Sequence, residues 1–242
     1  MSPDPLESGR PQVALALDVP DRGTALALLD RLGPEPRIYK VGLELFAAEG
    51  PALVREVLQR GHRVFLDLKL HDIPNTVAGA VAVAARLGVE WLTVHTSGGP
   101  TMLEAAARAA QGGVRLLGVT VLTSLDAPAL SLLLGRAPVD VEQEVRRRAG
   151  WALDAGLDGV VCSVAEASGL REAFGRRLLL VTPGIRLVHQ GVDDQARVAS
   201  PTEAARAGSD LLVIGRAVTG AADPAAALAR VHAELAAAFQ RT

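Results

Sequence analysis

Short aliphatic runs recur along the chain, separated by longer stretches of helical character. Eight of the runs carry strand patterning: QVALALDV (12–19), RIYKVGLELF (37–46), RVFLDLKL (63–70), WLTVHT (91–96), RLLGVTVLT (115–123), DGVVCS (158–163), RLLLVTPGI (177–185) and DLLVIGRAV (210–218). Helices are predicted from Asp21 to residue 32, near 50–60, from Asn75 to Leu87 and near 100–110. Further helices are expected up to Ala155, with a break at Pro138, near 165–174, and from Asp223 to Phe239. No linker of disordered composition interrupts this alternation. Residues 12–242 are therefore expected to form one domain of α/β class, a single (β/α)8 TIM barrel. The polar, proline-containing residues 1–11 are expected to form a disordered tail. An open doubly wound sheet is the alternative, but the first strand lacks the glycine-rich turn of a dinucleotide fold.

Composition narrows the partners. The 242 residues are 49% apolar, enough for one large core, and the formal charge is −2 with 3% aromatic residues. Neither a basic field nor a stacking platform recommends nucleic acid. No uncharged run approaches a membrane span, and the N-terminus has no signal-peptide core. Cys162, alone of its kind, sits in the apolar run GVVCS and reads as a buried reduced thiol, which points to a cytoplasmic address. The histidines at 62, 71, 95, 189 and 232 show no metal-ligand spacing, so no metal is expected.

The candidate chemistry centres on RVFLDLKLHDIPNT (63–76). Asp67 and Lys69 are two residues apart on one strand and point the same way. Asp72 follows just outside, where Pro74 stops the strand and suits a first helical turn. Active sites of barrels lie at the C-terminal ends of their strands. There Asp18 ends the first strand and Lys40 lies on the second, so three adjacent strands send alternating charges into one mouth. Structural ion pairs plugging the barrel top are the alternative. Of 25 basic residues only Lys40 and Lys69 are lysines, and both occupy inward positions near the strand tops. An ammonium, unlike a guanidinium, can give up its proton, so this placement suggests proton transfer. His71 and His95 read as packing or supporting groups, and Arg146, Arg147 and Arg148 as a solvated helix face. The loops after strands seven and eight supply an expected phosphate site. Gly184 and Gly215 would let the backbone approach, Arg186 and Arg216 would bring charge, and Gln195 would donate from a lid spanning 186–195.

FLDLKLHDIPNT, together with VTVLTS (119–124), DGVVCS, VTPGIR and VIGRAVT, resembles the orotidine 5′-phosphate decarboxylase family from about Gln12 to Phe239. The resemblance implies decarboxylation of orotidine 5′-monophosphate to uridine 5′-monophosphate in pyrimidine synthesis, with no cofactor. It makes Lys69 the acid that protonates C6 and Asp67 the carboxylate beside the departing carboxylate. It assigns Asp18 and Lys40 to the ribose and the charge network, and Thr123 and Ser124 to the pyrimidine. Arg186, Gln195, Gly215 and Arg216 become the phosphate grip. Asp72 and Thr76 would enter the neighbouring subunit's site, so a homodimer is implied. Leu187 stands where the family often has proline, which removes a constraint from the start of the lid. Two rivals are a metal-dependent lyase or aldolase acting on a sugar phosphate and a non-catalytic nucleotide-binding barrel.

Overall fold

Each aliphatic run contains a strand, shorter than the run in every case but the third, which it fills: β1 Gln12–Ala16, β2 Ile38–Gly42, β3 Arg63–Leu70, β4 Trp91–His95, β5 Arg115–Val119, β6 Gly159–Val161, β7 Leu179–Thr182 and β8 Leu211–Ile214. The computed structural model describes residues 10–187 and 199–239; residues 1–9, 188–198 and 240–242 lie outside the described residues, as do most of the expected N-terminal tail and Gln195. The strands pair in parallel and in sequence order, and β1 also pairs with β8, closing an eight-stranded barrel. The helices are α1 Arg22–Leu32, α2 Leu43–Gln59, α3 Pro74–Leu87, α4 Gly99–Ala110, α5 Ala127–Leu134, α6 Val141–Asp154, α7 Val164–Phe174, α8 Pro201–Arg206, α9 Arg216–Thr219 and α10 Pro224–Phe239. None of the described helices is long and apolar enough to cross a membrane.

Side-chain alternation sorts the core into two parts. Ala14, Ala16, Ile38, Phe65, Trp91, Leu117, Leu179, Val181, Leu211 and Val213 fill the barrel interior. Residues of the other parity, such as Val13, Leu15, Val64, Leu66 and Leu92, pack outward with the helices. Below this interior, Arg63 forms an ion pair with Glu90, donates to Gln12 Oε1 at 3.0 Å, and lies 4.7 Å above the Trp91 ring. Charged groups thus occupy the N-terminal end of the barrel.

Three boundaries differ from the sequence expectation. The apolar stretch Leu43–Phe46 does not extend β2 but opens α2, with Leu45 buried. Gly50, at φ 61, and Pro51 kink that helix, so only its second half matches the expected segment. Arg216 does not continue β8 but begins the short α9, with Gly215 as its N-cap. The unexpected α8 carries a capping box in which Ser200 and Glu203 each satisfy the other's backbone N–H. The break at Pro138 is present, between α5 and α6, and Asp126 and Asp140 cap these two helices.

Candidate active site

Strand register brings the mouth charges together. Ala16 pairs with Lys40, Lys40 with Phe65, and Gly42 with Asp67. Asp18 lies just past β1, on the inward parity of Ala14 and Ala16. Lys40 Nζ is 3.0 Å from Asp18 Oδ1 and 3.6 Å from Asp67 Oδ2, and Lys69 Nζ donates to that same Oδ2 at 2.8 Å. The result is a row of alternating sign, Asp18–Lys40–Asp67–Lys69. Lys40 and Asp67 are buried, and buried charges persist when partners and hydrogen bonds offset their lost hydration. Burial pulls the Asp67 carboxyl upward, but Lys40, Lys69 and hydrogen bonds from Lys69 and Thr93 outweigh it and hold the group below its ordinary value. Asp67 is therefore a carboxylate at neutral pH. Gly42 makes room for the row, since a Cβ there would lie 3.1 Å from Lys40 Nζ and 3.3 Å from Asp18 Oδ1.

The strand geometry at Lys69 departs from simple alternation. Phe65 and Leu66 of β3 face Trp91 and Leu92 of β4, yet Leu70 faces Val94. Asp67, Leu68 and Lys69 thus stand opposite Thr93 alone, a bulge in β3. Lys69 adopts φ 50, the left-handed region that disfavours a residue with a Cβ, at a cost on the order of 1–3 kcal/mol. Thr93, fully buried, holds the distortion: its Oγ1 accepts from Lys69 N at 2.8 Å and donates to Asp67 Oδ1 at 2.9 Å. Nothing in the sequence singles out Thr93, because threonine is an ordinary strand former.

The mouth is open rather than plugged. A cavity of about 370 Å³ is lined by Asp18, Lys40, Asp67 and Lys69 on one side and by Gly184, Arg186, Gly215 and Arg216 on another, with Phe65 among its lining residues. Val121 and Leu122, after β5, add an apolar wall, with the Thr123 side chain beside them. Ser124, the next residue, is exposed and does not line the cavity. Asp72 and Thr76 are likewise exposed and absent from this cavity's wall, and Ile73 beside them is 66% exposed. At Gly184 the backbone has φ 79, which favours glycine. At Gly215 a Cβ would meet Asp18 Oδ2 at 3.6 Å, an ordinary contact, so close packing within the protein does not demand glycine there. Arg186 N donates to the Ala199 carbonyl at 2.9 Å, and Ala199 N to the Gly184 carbonyl at 3.1 Å, joining the ends of the segment that contains Gln195. Most of the expected lid falls on 188–198, outside the described residues. Leu187 itself is buried in the core.

Two neighbours of the mouth complete its surroundings. The His71 and His95 rings stack with centroids 5.4 Å apart. Burial, with His71, Arg148 and Lys69 nearby, pushes His95 down to about 4, so its imidazole is neutral at physiological pH. The expectation of a solvated Arg146–Arg148 face is corrected at Arg148, which is buried, donates to Glu144 at 2.7 Å and to the Thr120 carbonyl at 3.0 Å. Three successive helical residues span too wide an arc to share one face, and Arg148 is the member turned toward the end of β5. The Glu144-x-x-x-Arg148 spacing was its signal in the sequence. Among the described residues, no three His, Cys, Asp or Glu side chains converge on a place that could hold a metal ion.

The family described as orotidine 5′-phosphate decarboxylase / HUMPS matches residues 11–231. A protein of Moorella thermoacetica named orotidine 5′-phosphate decarboxylase is 49% identical over 236 residues, covering 93% of this chain and 92% of its own. Its namesake in Alkalilimnicola ehrlichii is 53% identical over 230 residues, covering 93% and 97%. The crystal structure of orotidine 5′-phosphate decarboxylase from Lactobacillus acidophilus superposes with a TM-score of 0.82 at 36% identity, covering 93% of this chain and 99% of that one.

Proposed function

The chain belongs to the orotidine 5′-phosphate decarboxylase / HUMPS family, and from that premise we propose that it converts orotidine 5′-monophosphate to uridine 5′-monophosphate and carbon dioxide, without metal or organic cofactor, as a cytoplasmic enzyme of pyrimidine synthesis. The observation that carries this reading is the row Asp18–Lys40–Asp67–Lys69 at the mouth of an open cavity.

Loss of carbon dioxide from C6 leaves an electron pair in an sp² orbital that the pyrimidine ring delocalises poorly. A fixed ammonium beside that carbon stabilises the pair and then protonates it, and Lys69 is suited to both tasks. Asp67, ionised, anchored by two donors and paired with the Lys40 charge, faces the substrate carboxylate. Their repulsion is relieved as neutral carbon dioxide departs. Asp18 and Lys40 accept and donate hydrogen bonds at the ribose, and Lys40 also keeps Asp67 charged. Thr123 meets the pyrimidine edge from the cavity wall, whereas Ser124, exposed and outside that wall, takes no part in it; Gly215, Arg186 and Arg216 take the phosphate. Contacts to the non-reacting phosphate contribute binding free energy that positions the ring for reaction. Asp72 and Thr76 serve the cavity of a second copy in a homodimer, consistent with their exposure and their absence from their own cavity's wall.

Ultraviolet loss of orotidine 5′-monophosphate, followed with and without a chelator, tests the proposal. The expected result is equal turnover in both conditions. A metal-dependent lyase or aldolase would lose activity to the chelator, and a non-catalytic nucleotide-binding barrel would show no turnover in either.

A further inference from the structure

We propose that Thr93 is a positioning residue for this decarboxylation, its hydroxyl holding the β3 bulge that brings the Lys69 ammonium and the Asp67 carboxylate to one point. The inference rests on the reaction proposed above. In a regular ladder β3 would continue one residue for one against β4, but here Asp67 to Lys69 stand against Thr93 alone. A bulge leaves backbone groups without strand partners. The Lys69 N–H finds one in Thr93 Oγ1 at 2.8 Å. The same hydroxyl donates a hydrogen bond to Asp67 Oδ1 at 2.9 Å. That leaves Asp67 Oδ2 to face both lysines, 2.8 Å from Lys69 and 3.6 Å from Lys40. One buried hydroxyl thus fixes the backbone of the proton donor and the rotation of the carboxylate beside it. Without it, the left-handed conformation of Lys69 loses the hydrogen bond that offsets its strain. The groups facing Asp67 are Lys40 from β2, itself paired with Asp18 beyond β1, Lys69 on its own strand, and Thr93 from β4.

The test compares Thr93→Val, which replaces the hydroxyl by a methyl of similar size, with Thr93→Ser, which retains it. Thr93→Val is expected to lower kcat on the order of 100-fold, the scale of a reacting group misplaced by about 1 Å, with KM nearly unchanged. The acid limb of its kcat profile should move to higher pH, because Asp67 loses a donor that favours its ionised form. Thr93→Ser should restore most of the rate and the wild-type limb. A crystal structure of Thr93→Val should show Lys69 Nζ and Asp67 beyond hydrogen-bonding reach. If Thr93→Val does not fold, Thr93→Ala carries the same expectations. Failure of both to fold, an unchanged kcat, or a serine variant as slow as the valine one would overturn the proposal. Wild-type protein that leaves orotidine 5′-monophosphate intact would instead overturn the reaction, and the Lys69–Asp67 separation in the valine variant would still decide the role of Thr93.

Discussion

Lys69→Ala yields a folded barrel that no longer turns over orotidine 5′-monophosphate. Removing the ammonium deletes general-acid catalysis, which contributes roughly 10²–10⁴-fold, and a fixed charge beside the carbanion, for which single donors contribute roughly 10²–10³-fold. A loss of at least about 10⁴-fold in kcat is expected. The fold should survive for local reasons. The Lys69 side chain is 33% exposed, so little packing is lost. Asp67 keeps Lys40 and Thr93 as partners and is not left as an isolated buried charge. Alanine also keeps the backbone N–H that donates to Thr93. Substantial residual kcat in a protein with wild-type circular dichroism would remove Lys69 from the role of proton donor.

Mixing two dead variants should restore activity. If Asp72 serves the cavity of a second copy, Lys69→Ala and Asp72→Ala spoil different halves of a composite site. A heterodimer of the two then has one site with both changes and one with neither. After dissociation and random reassociation of equal amounts, about a quarter of wild-type activity is expected, because half the dimers are mixed and each holds one intact site. The position of Asp72 motivates this expectation: it is exposed just past the end of β3 and takes no part in the wall of its own cavity. A mixture as inactive as its components would place Asp72 within its own subunit's site or outside the chemistry.

The sequence carried the barrel because its strands are aliphatic runs of fixed period, and it carried the mouth because parity sends Asp18, Lys40 and Asp67 inward and sets Lys69 beside them. It did not carry the bulge. Asp67 and Lys69 have the same spacing in a regular strand as in a distorted one, and no propensity foretells a lysine at φ 50. Thr93 was hidden for the same reason, since its function lies in a contact with a neighbouring strand. Arg148 was masked by two arginines that do face solvent. The start of α2 was misplaced because Leu43–Phe46 prolongs an apolar run, and period decides poorly over so few residues. The helix α8 was legible in principle, through the Ser200–Glu203 capping pattern.

A crystal structure with uridine 5′-monophosphate bound tests the central claim most directly. The account predicts the pyrimidine within the cavity above Phe65, C6 facing Lys69 Nζ, and the phosphate against Gly215, Arg186 and Arg216. A nucleotide lodged elsewhere, or Lys69 Nζ turned away from C6, would contradict it.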